Sequence, residues 1–168
     1  MKAAVVGAGK LGKSIAEVLS GGGHDITLID YNDAAIRKVQ SSADIMTVKA
    51  DARTVSSLTD VKIGSYDVLA AVTDSDETNV FIASLAKKLG CAAVVARVRG
   101  PEHVEQLPFI RECFDIDYAV SPDYTCAEEI YKFLAKRSGI EADHFEIDGA
   151  EIVECGIEAL PALSAARR

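Results

Sequence analysis

Two groups of residues stand out for the chemistry their types and spacing allow. Gly7-Ala8-Gly9-Lys10-Leu11-Gly12 has the pattern G-x-G-x-x-G, directly after a short valine-rich run and at the start of a helical pattern. In that setting the first glycine makes a tight turn and the second lets a pyrophosphate approach the backbone. The third brings helix and strand close, and free amides at the helix N-terminus face the phosphates. The second group is Asp30, which ends the next apolar run about 20 residues downstream, where a carboxylate accepts hydrogen bonds from both ribose hydroxyls. That carboxylate would repel a 2′-phosphate, and the nearest downstream arginine, Arg37, is a helical position. NAD(H) or an adenosine nucleotide is therefore favoured over NADP(H). The alternative for Asp30 is to cap the following helix, a task Asn32 can perform instead. Lys10 either reaches the phosphates as a flexible point charge or is a solvated loop lysine.

Other polar clusters say less. Thr73-Asp74-Ser75-Asp76-Glu77 puts carboxylates at another helix start, where like charge opposes a second phosphate, although its backbone can line a pocket. Cys91, Cys113, Cys126 and Cys155 contain no C-x-x-C pair and have no histidine at ligand spacing, so they read as reduced structural thiols. His24, His103 and His144 are equally scattered and read as surface or packing residues.

The elements that must position these residues follow from an alternation of short β-rich runs with helical stretches, the signature of a parallel sheet covered by crossover helices. Strands are expected at Lys2–Val6, Asp25–Ile29, Ile45–Lys49, Val68–Val72, Ala93–Val98 and Tyr118–Val120. Helices are expected at Leu11–Leu19, Asp33–Ser41, Val55–Val61, Glu77–Leu89, Glu102–Phe114 and Asp123–Ser138. Asp74 with Glu77 fits a capping box, Pro101 and Pro122 fit first helical turns, and Gly90 and Gly139 fit helix ends. The fold class is α/β: a Rossmann-like, doubly wound, parallel six-stranded sheet with helices on both faces, in the order 3-2-1-4-5-6 of its class. After Gly139, the runs His144–Ile147 and Glu151–Cys155 flank Asp148-Gly149, a hairpin-turn pair, so a short C-terminal β extension is expected.

Composition bounds the function. Hydrophobic residues make up 49% of the 168-residue chain, too many for a disordered polypeptide at a net charge of −8. The 26 acidic residues against 18 basic ones argue against a nucleic-acid partner held through phosphate neutralisation. No aliphatic run approaches the ~20 residues of a membrane span, and no signal-peptide pattern opens the chain, so a cytoplasmic protein is expected.

With the glycine loop, Asp30, Ala50-Asp51-Ala52, the string Ala71-Val72-Thr73-Asp74-Ser75-Asp76-Glu77-Thr78-Asn79 and Ala96-Arg97-Val98-Arg99 in view, the chain resembles the TrkA N-terminal domain, the RCK or KTN family. The likeness runs from Met1 to about Ile140. It implies a nucleotide-sensing module that regulates potassium transporters or channels, with NAD(H) or ATP/ADP as regulatory ligand. By resemblance, Gly7, Ala8, Gly9, Lys10, Leu11 and Gly12 hold the phosphates, and Asp30 takes the ribose, with Tyr31 beside it in the site. Asp51 and Ala52 border the adenine, Val72 and Thr73 line the floor, and Arg97 approaches the phosphates. Asp123 matches a position that helps some relatives hold a divalent cation next to the nucleotide. Ala50 stands where relatives carry glycine.

The resemblance further implies a homodimer or larger RCK ring at the inner face of the membrane, attached to a membrane-embedded potassium transporter or channel subunit, with no nucleic acid and no direct membrane insertion. The apolar positions Ala127, Ile130, Tyr131, Leu134 and Ala135 of the last helix, widened by Cys126 and Phe133, suit packing on the helix's own sheet and on a partner. Residues 1–140 are expected to form the nucleotide-binding domain, and 141–168 a linker or the start of a truncated or absent C-terminal lobe. The alternative function is the cofactor-binding half of an NAD-dependent oxidoreductase. The six β-α units leave little chain for a substrate region, and no acid–base pair accompanies the pocket motifs, so a regulator rather than an enzyme is expected.

Overall fold

A computed structural model describes residues 1–41, 45–100, 106–137, 144–147 and 150–153. The first compact unit, Met1–Pro122, holds β1 (Lys2–Val6), α1 (Lys10–Gly21), β2 (Asp25–Asp30), α2 (Asp33–Gln40), β3 (Met46–Lys49) and α3 (Val55–Asp60). A 3-10 turn (Ile63–Ser65) leads to β4 (Val68–Ala71), α4 (Asp76–Lys88), β5 (Ala93–Arg97), α5 (Leu107–Phe114) and β6 (Tyr118–Val120). The six strands pair in parallel in the expected order β3-β2-β1-β4-β5-β6. β1 is therefore central, with Val6 opposite both Ile29 of β2 and Ala71 of β4. The chain reverses its winding between β1 and β4, and such a switch point opens a crevice beyond the strands' carboxyl ends.

β1 lacks polar alternation because both faces are covered. Ala3 and Val5 enter one core with Leu28 of β2, Ala16 of α1 and Ile36 and Val39 of α2. Ala4 and Val6 enter the other with Leu58 of α3 and Ile82, Ala83 and Ala86 of α4. Each large aliphatic side chain buried here contributes roughly 1.5–3 kcal/mol. The small residues do different work. A Cβ on Gly12 would lie 1.8 Å from the carbonyl oxygen of Gly7, so only glycine allows α1 to sit this close to the end of β1. The edge strands β3 and β6 are short, 4 and 3 residues, which limits pairing with other chains.

Four helix starts depart from expectation. α1 begins at Lys10, one residue early, with Gly9 as its N-cap. α4 is capped by Ser75 rather than Asp74: the Ser75 hydroxyl accepts from the Thr78 amide at 3.1 Å and donates to Glu77 Oε2 at 2.8 Å. Ser75 wins because its backbone is extended and its short hydroxyl already reaches the third helical amide. α5 starts at Leu107 with Pro108 in its first turn. A helix running through Pro108 from Glu102 would lose a hydrogen bond and meet the ring, whereas a first-turn proline loses nothing. Pro101 and residues 102–105 lie outside the described residues, as do Gly139 and the Asp148-Gly149 turn. Gly90 follows α4 at φ +97°, the left-handed conformation expected of a glycine at a helix end.

The second unit, from Asp123 onward, contains nearly all of α6 (Pro122–Arg137) and the antiparallel pair β7 (His144–Ile147) and β8 (Ala150–Val153), in which His144 faces Val153. α6 begins at Pro122, one residue before the expected Asp123, with the proline in the first helical turn as expected. Ile130, Tyr131, Phe133 and Leu134 of α6 are exposed. Among the described residues no helix is long and apolar enough to cross a membrane.

Candidate functional site

The ends of β1, β2, β4 and β5 enclose a cleft of about 750 Å³ in the first unit. Its first wall is the glycine loop. The Gly7 amide donates to Ile29 O at 2.9 Å, and Gly7 adopts φ +110° with no room for a Cβ, which would stand 3.0 Å from Val72 O and Thr73 N. Gly9 is the opposite case, because a Cβ there would meet nothing within 4 Å. Gly9 is the N-cap of α1, so no side chain caps the first amides of that helix. Ala8, Gly9, Lys10 and Leu11 line the cleft, and Lys10 is exposed. Gly12 is not a lining residue; it lies buried behind the loop as the helix-packing glycine.

The second wall is the end of β2. Asp30 Oδ2 accepts from the Ala8 amide at 2.7 Å, and Oδ1 accepts from the Asn32 amide at 2.7 Å. One carboxylate thus joins the glycine loop to the approach to α2, and two charge-assisted bonds fix its position. Capping of α2 belongs to Asn32, whose Oδ1 accepts from the Ala34 and Ala35 amides at 3.0 and 3.3 Å. Tyr31 follows on the rim, 66% exposed.

The third wall is the segment after β3. The Ala50 amide donates to Asp30 O at 3.0 Å, and Ala50 lacks a positive φ, so the backbone here does not require glycine. Ala52 is buried. Asp51 accepts three hydrogen bonds from Arg53, from its amide at 3.0 Å and from Nε and Nη2 at 2.9 Å each. The Arg53 side-chain hydrogen bonds hold the Asp51 carboxyl below its ordinary range, and the Arg53 guanidinium is raised by the same contact. Sequence reasoning missed Arg53, because a pair two residues apart in a loop leaves no periodic signal.

The fourth wall joins β4 to β5. Val72 and Thr73 line the floor, as do Asp74, Ser75 and Thr78. Asn79, fully buried on α4, organises them. Its Oδ1 accepts from Thr73 N and Thr73 Oγ1, each at 2.7 Å, while Nδ2 donates to Arg97 O at 3.0 Å and Thr73 O at 3.3 Å. Asp76, in the first turn of α4, reaches the next loop and accepts from the Arg99 and Gly100 amides at 2.7 and 2.8 Å. Arg97 lines the cleft, and its Nε is buried without a hydrogen-bond partner. The guanidinium as a whole is a positive charge on the cleft wall, suited to an anionic oxygen. Together with the open space over Gly9, this fits a ligand carrying phosphates.

Asp123 belongs to the second unit and is not among the residues lining the cleft. Among the described residues, no group of three histidine, cysteine or acidic side chains is placed to hold a metal ion.

Comparison with known proteins agrees with this geometry. The Trk system potassium uptake protein TrkA of Haemophilus influenzae is 29% identical over 156 residues, covering 91% of this chain and 34% of that protein. The TrkA homolog of Methanothermobacter thermautotrophicus is 26% identical over 136 residues, covering 81% of this chain and 61% of the homolog. The chain thus spans about a third of the first relative's length and under two thirds of the second's. Among solved structures, the TrkA-N domain of the inner membrane protein ybaL from Escherichia coli superposes with a TM-score of 0.69 at 15% identity, covering 79% of this chain and 96% of that domain. GsuK bound to ADP superposes with a TM-score of 0.65 at 24% identity, covering 80% of this chain and 34% of that one. GsuK channel bound to NAD gives 0.61 at 16%, covering 87% and 24%. At these identities the structures share the fold. The model of the TrkA-N domain matches residues 3–122, which takes in all four walls of the cleft; the chain belongs to the TrkA-N domain family.

Proposed function

We propose that this chain is the nucleotide-sensing part of a cytoplasmic regulator of potassium transport, binding NAD(H) or ADP/ATP in the cleft and biasing a membrane-embedded transporter or channel subunit. The observation that carries the reading is the pairing of open space over Gly9 with the guanidinium-bearing Arg97 in the lining of one cleft. Phosphates lie against the α1 amides, Lys10 and Arg97, and the ribose hydroxyls donate to the lone pairs that Asp30 retains. The relatives, potassium uptake proteins, support the link to potassium transport, and the ADP and NAD carried by GsuK support the ligand class.

Regulation requires the ligand to favour one arrangement over another. A nucleotide spanning the cleft would touch the glycine loop on β1 and Arg97 on β5, so it would bridge the two windings of the sheet. The assembly is read as a dimer or ring, with residues 1–140 as the nucleotide-binding part and 141–168 as a linker. Asp123 stands as a cation position to be tested by adding magnesium with the nucleotide. The chain is read as a binding module and not an enzyme.

Thermal unfolding tests the reading. At a ligand concentration a hundredfold above Kd, linkage adds ~2.7 kcal/mol, which raises the melting temperature by roughly 5–10 °C for a chain of this size. No rise with NAD⁺, NADH, ADP or ATP would overturn it. Hydride transfer from NADH to a small carbonyl compound, catalysed by the purified chain, would instead favour the oxidoreductase alternative.

A further inference from the structure

With phosphates on the glycine loop and ribose on Asp30, the base must leave along the third wall, between the ends of β2 and β3. This stretch is floored by the small side chains of Ala35, Ala50 and Ala52 and flanked by Tyr31 and Arg53. Tyr31 is 66% exposed, an unfavourable place for so large an aromatic side chain. Across from it, the Arg53 guanidinium carbon lies 5.8 Å from the ring centroid, at the outer end of the cation–π range. Asp51 grips Arg53 edge-on through Nε and Nη2, which leaves both faces of the guanidinium plane available for stacking.

We propose that Tyr31 and Arg53 form a stacking clamp that selects a purine base, with Asp51 as the tether that presents the guanidinium; the proposal rests on the nucleotide reading of the cleft. Flat groups stack at about 3.5 Å, so a base held between the two needs about 7 Å. The observed spacing is about an ångström short of that, within reach of a small swing of the arginine stem. The direct Tyr31–Arg53 contact is then exchanged for a Tyr31–base–Arg53 sandwich. A bicyclic purine overlaps both faces more fully than a pyrimidine does, so the clamp favours ADP over UDP although both present the same ribose diphosphate.

Calorimetric titration of ADP and UDP into the 168-residue chain and its variants tests this, with circular dichroism melts confirming that each variant is folded. Arg53→Ala should weaken ADP about tenfold, ~1.4 kcal/mol, and UDP at most two- to threefold, narrowing the ratio between them. Arg53→Lys keeps the charge without the plane and should stay within about twofold of Arg53→Ala for ADP. Tyr31→Ala should narrow the ratio in the same way. Equal losses for ADP and UDP, full recovery with lysine, or unchanged ADP affinity would overturn the clamp while leaving the cleft a nucleotide site. A wild-type chain that binds neither nucleotide, nor NAD(H), would remove the site and the clamp with it.

Discussion

The two glycines at either side of Lys10 and Leu11 separate binding from folding at the scale of single residues. Gly9 has an ordinary φ of −70° and space above it, so Gly9→Ala should stay within about 1 kcal/mol of the parent in urea unfolding. Its methyl group would stand where a phosphate must come, and nucleotide affinity should fall at least tenfold. Gly12→Ala forces a methyl to within 1.8 Å of Gly7 O and should cost about 3 kcal/mol, loosening α1 from β1. Equal stability of the two variants would contradict the assignment of their roles. The places of both glycines at the start of α1 and of Asp30 at the end of β2 were legible from spacing alone, because the tight turn and the close helix packing each demand a particular residue type. That Asp30 also accepts the Ala8 amide was not legible, since nothing in the sequence specifies a bond between residues 22 positions apart.

Among the elements, the junction of β4, α4 and β5 depends on one buried amide. Asn79→Ala would leave the Thr73 amide and the Arg97 carbonyl without their partner inside the protein, a loss of about 3 kcal/mol measurable by urea unfolding. Asn79→Asp keeps the acceptor but loses both donated bonds and buries a carboxylate, so it should be no better. A loss below about 1 kcal/mol for Asn79→Ala would show that water or a rearranged loop replaces the amide. Strand order and most helices were readable because doubly covered strands are apolar without alternation and their connections are short. Helix starts were read less well. Ser75 displaced Asp74 as the cap by local geometry, and Pro108 moved the start of α5.

At the scale of the whole molecule, an acidic chain with a net charge of −8 carries its electrostatic stabilisation in carboxylates that are paired. Asp33, Asp51 and Asp117 are all held below their ordinary range, chiefly by hydrogen bonds from Arg37, Arg53 and Lys87 respectively. Their contribution is therefore complete above the unfolded value of about 3.9 and is lost as pH falls through the lower folded values. The urea midpoint should be flat from about pH 7 to 5 and fall below about pH 4, with Asp117→Asn reducing the acid slope. A decline that begins near pH 6 would require a group with a raised pKa. The Asp33–Arg37 and Asp51–Arg53 pairs are exposed and the Asp117–Lys87 pair is partly so, so the effect should be modest and smaller in high salt.

The same view of the molecule bears on what the sequence could convey about function. The cleft was readable as a set of motifs, and the family followed from their order along residues 3–122. Arg53, Asn79 and the partnerless Nε of Arg97 emerge only when distant segments meet in space. The most direct test of a nucleotide-sensing cleft is native mass spectrometry of the chain titrated with ADP and with NAD⁺. The account predicts one nucleotide per chain at saturation and a loss of that adduct in Asp30→Ala. A parent chain that gains no nucleotide, or an Asp30→Ala chain that retains it at the same affinity, would contradict it.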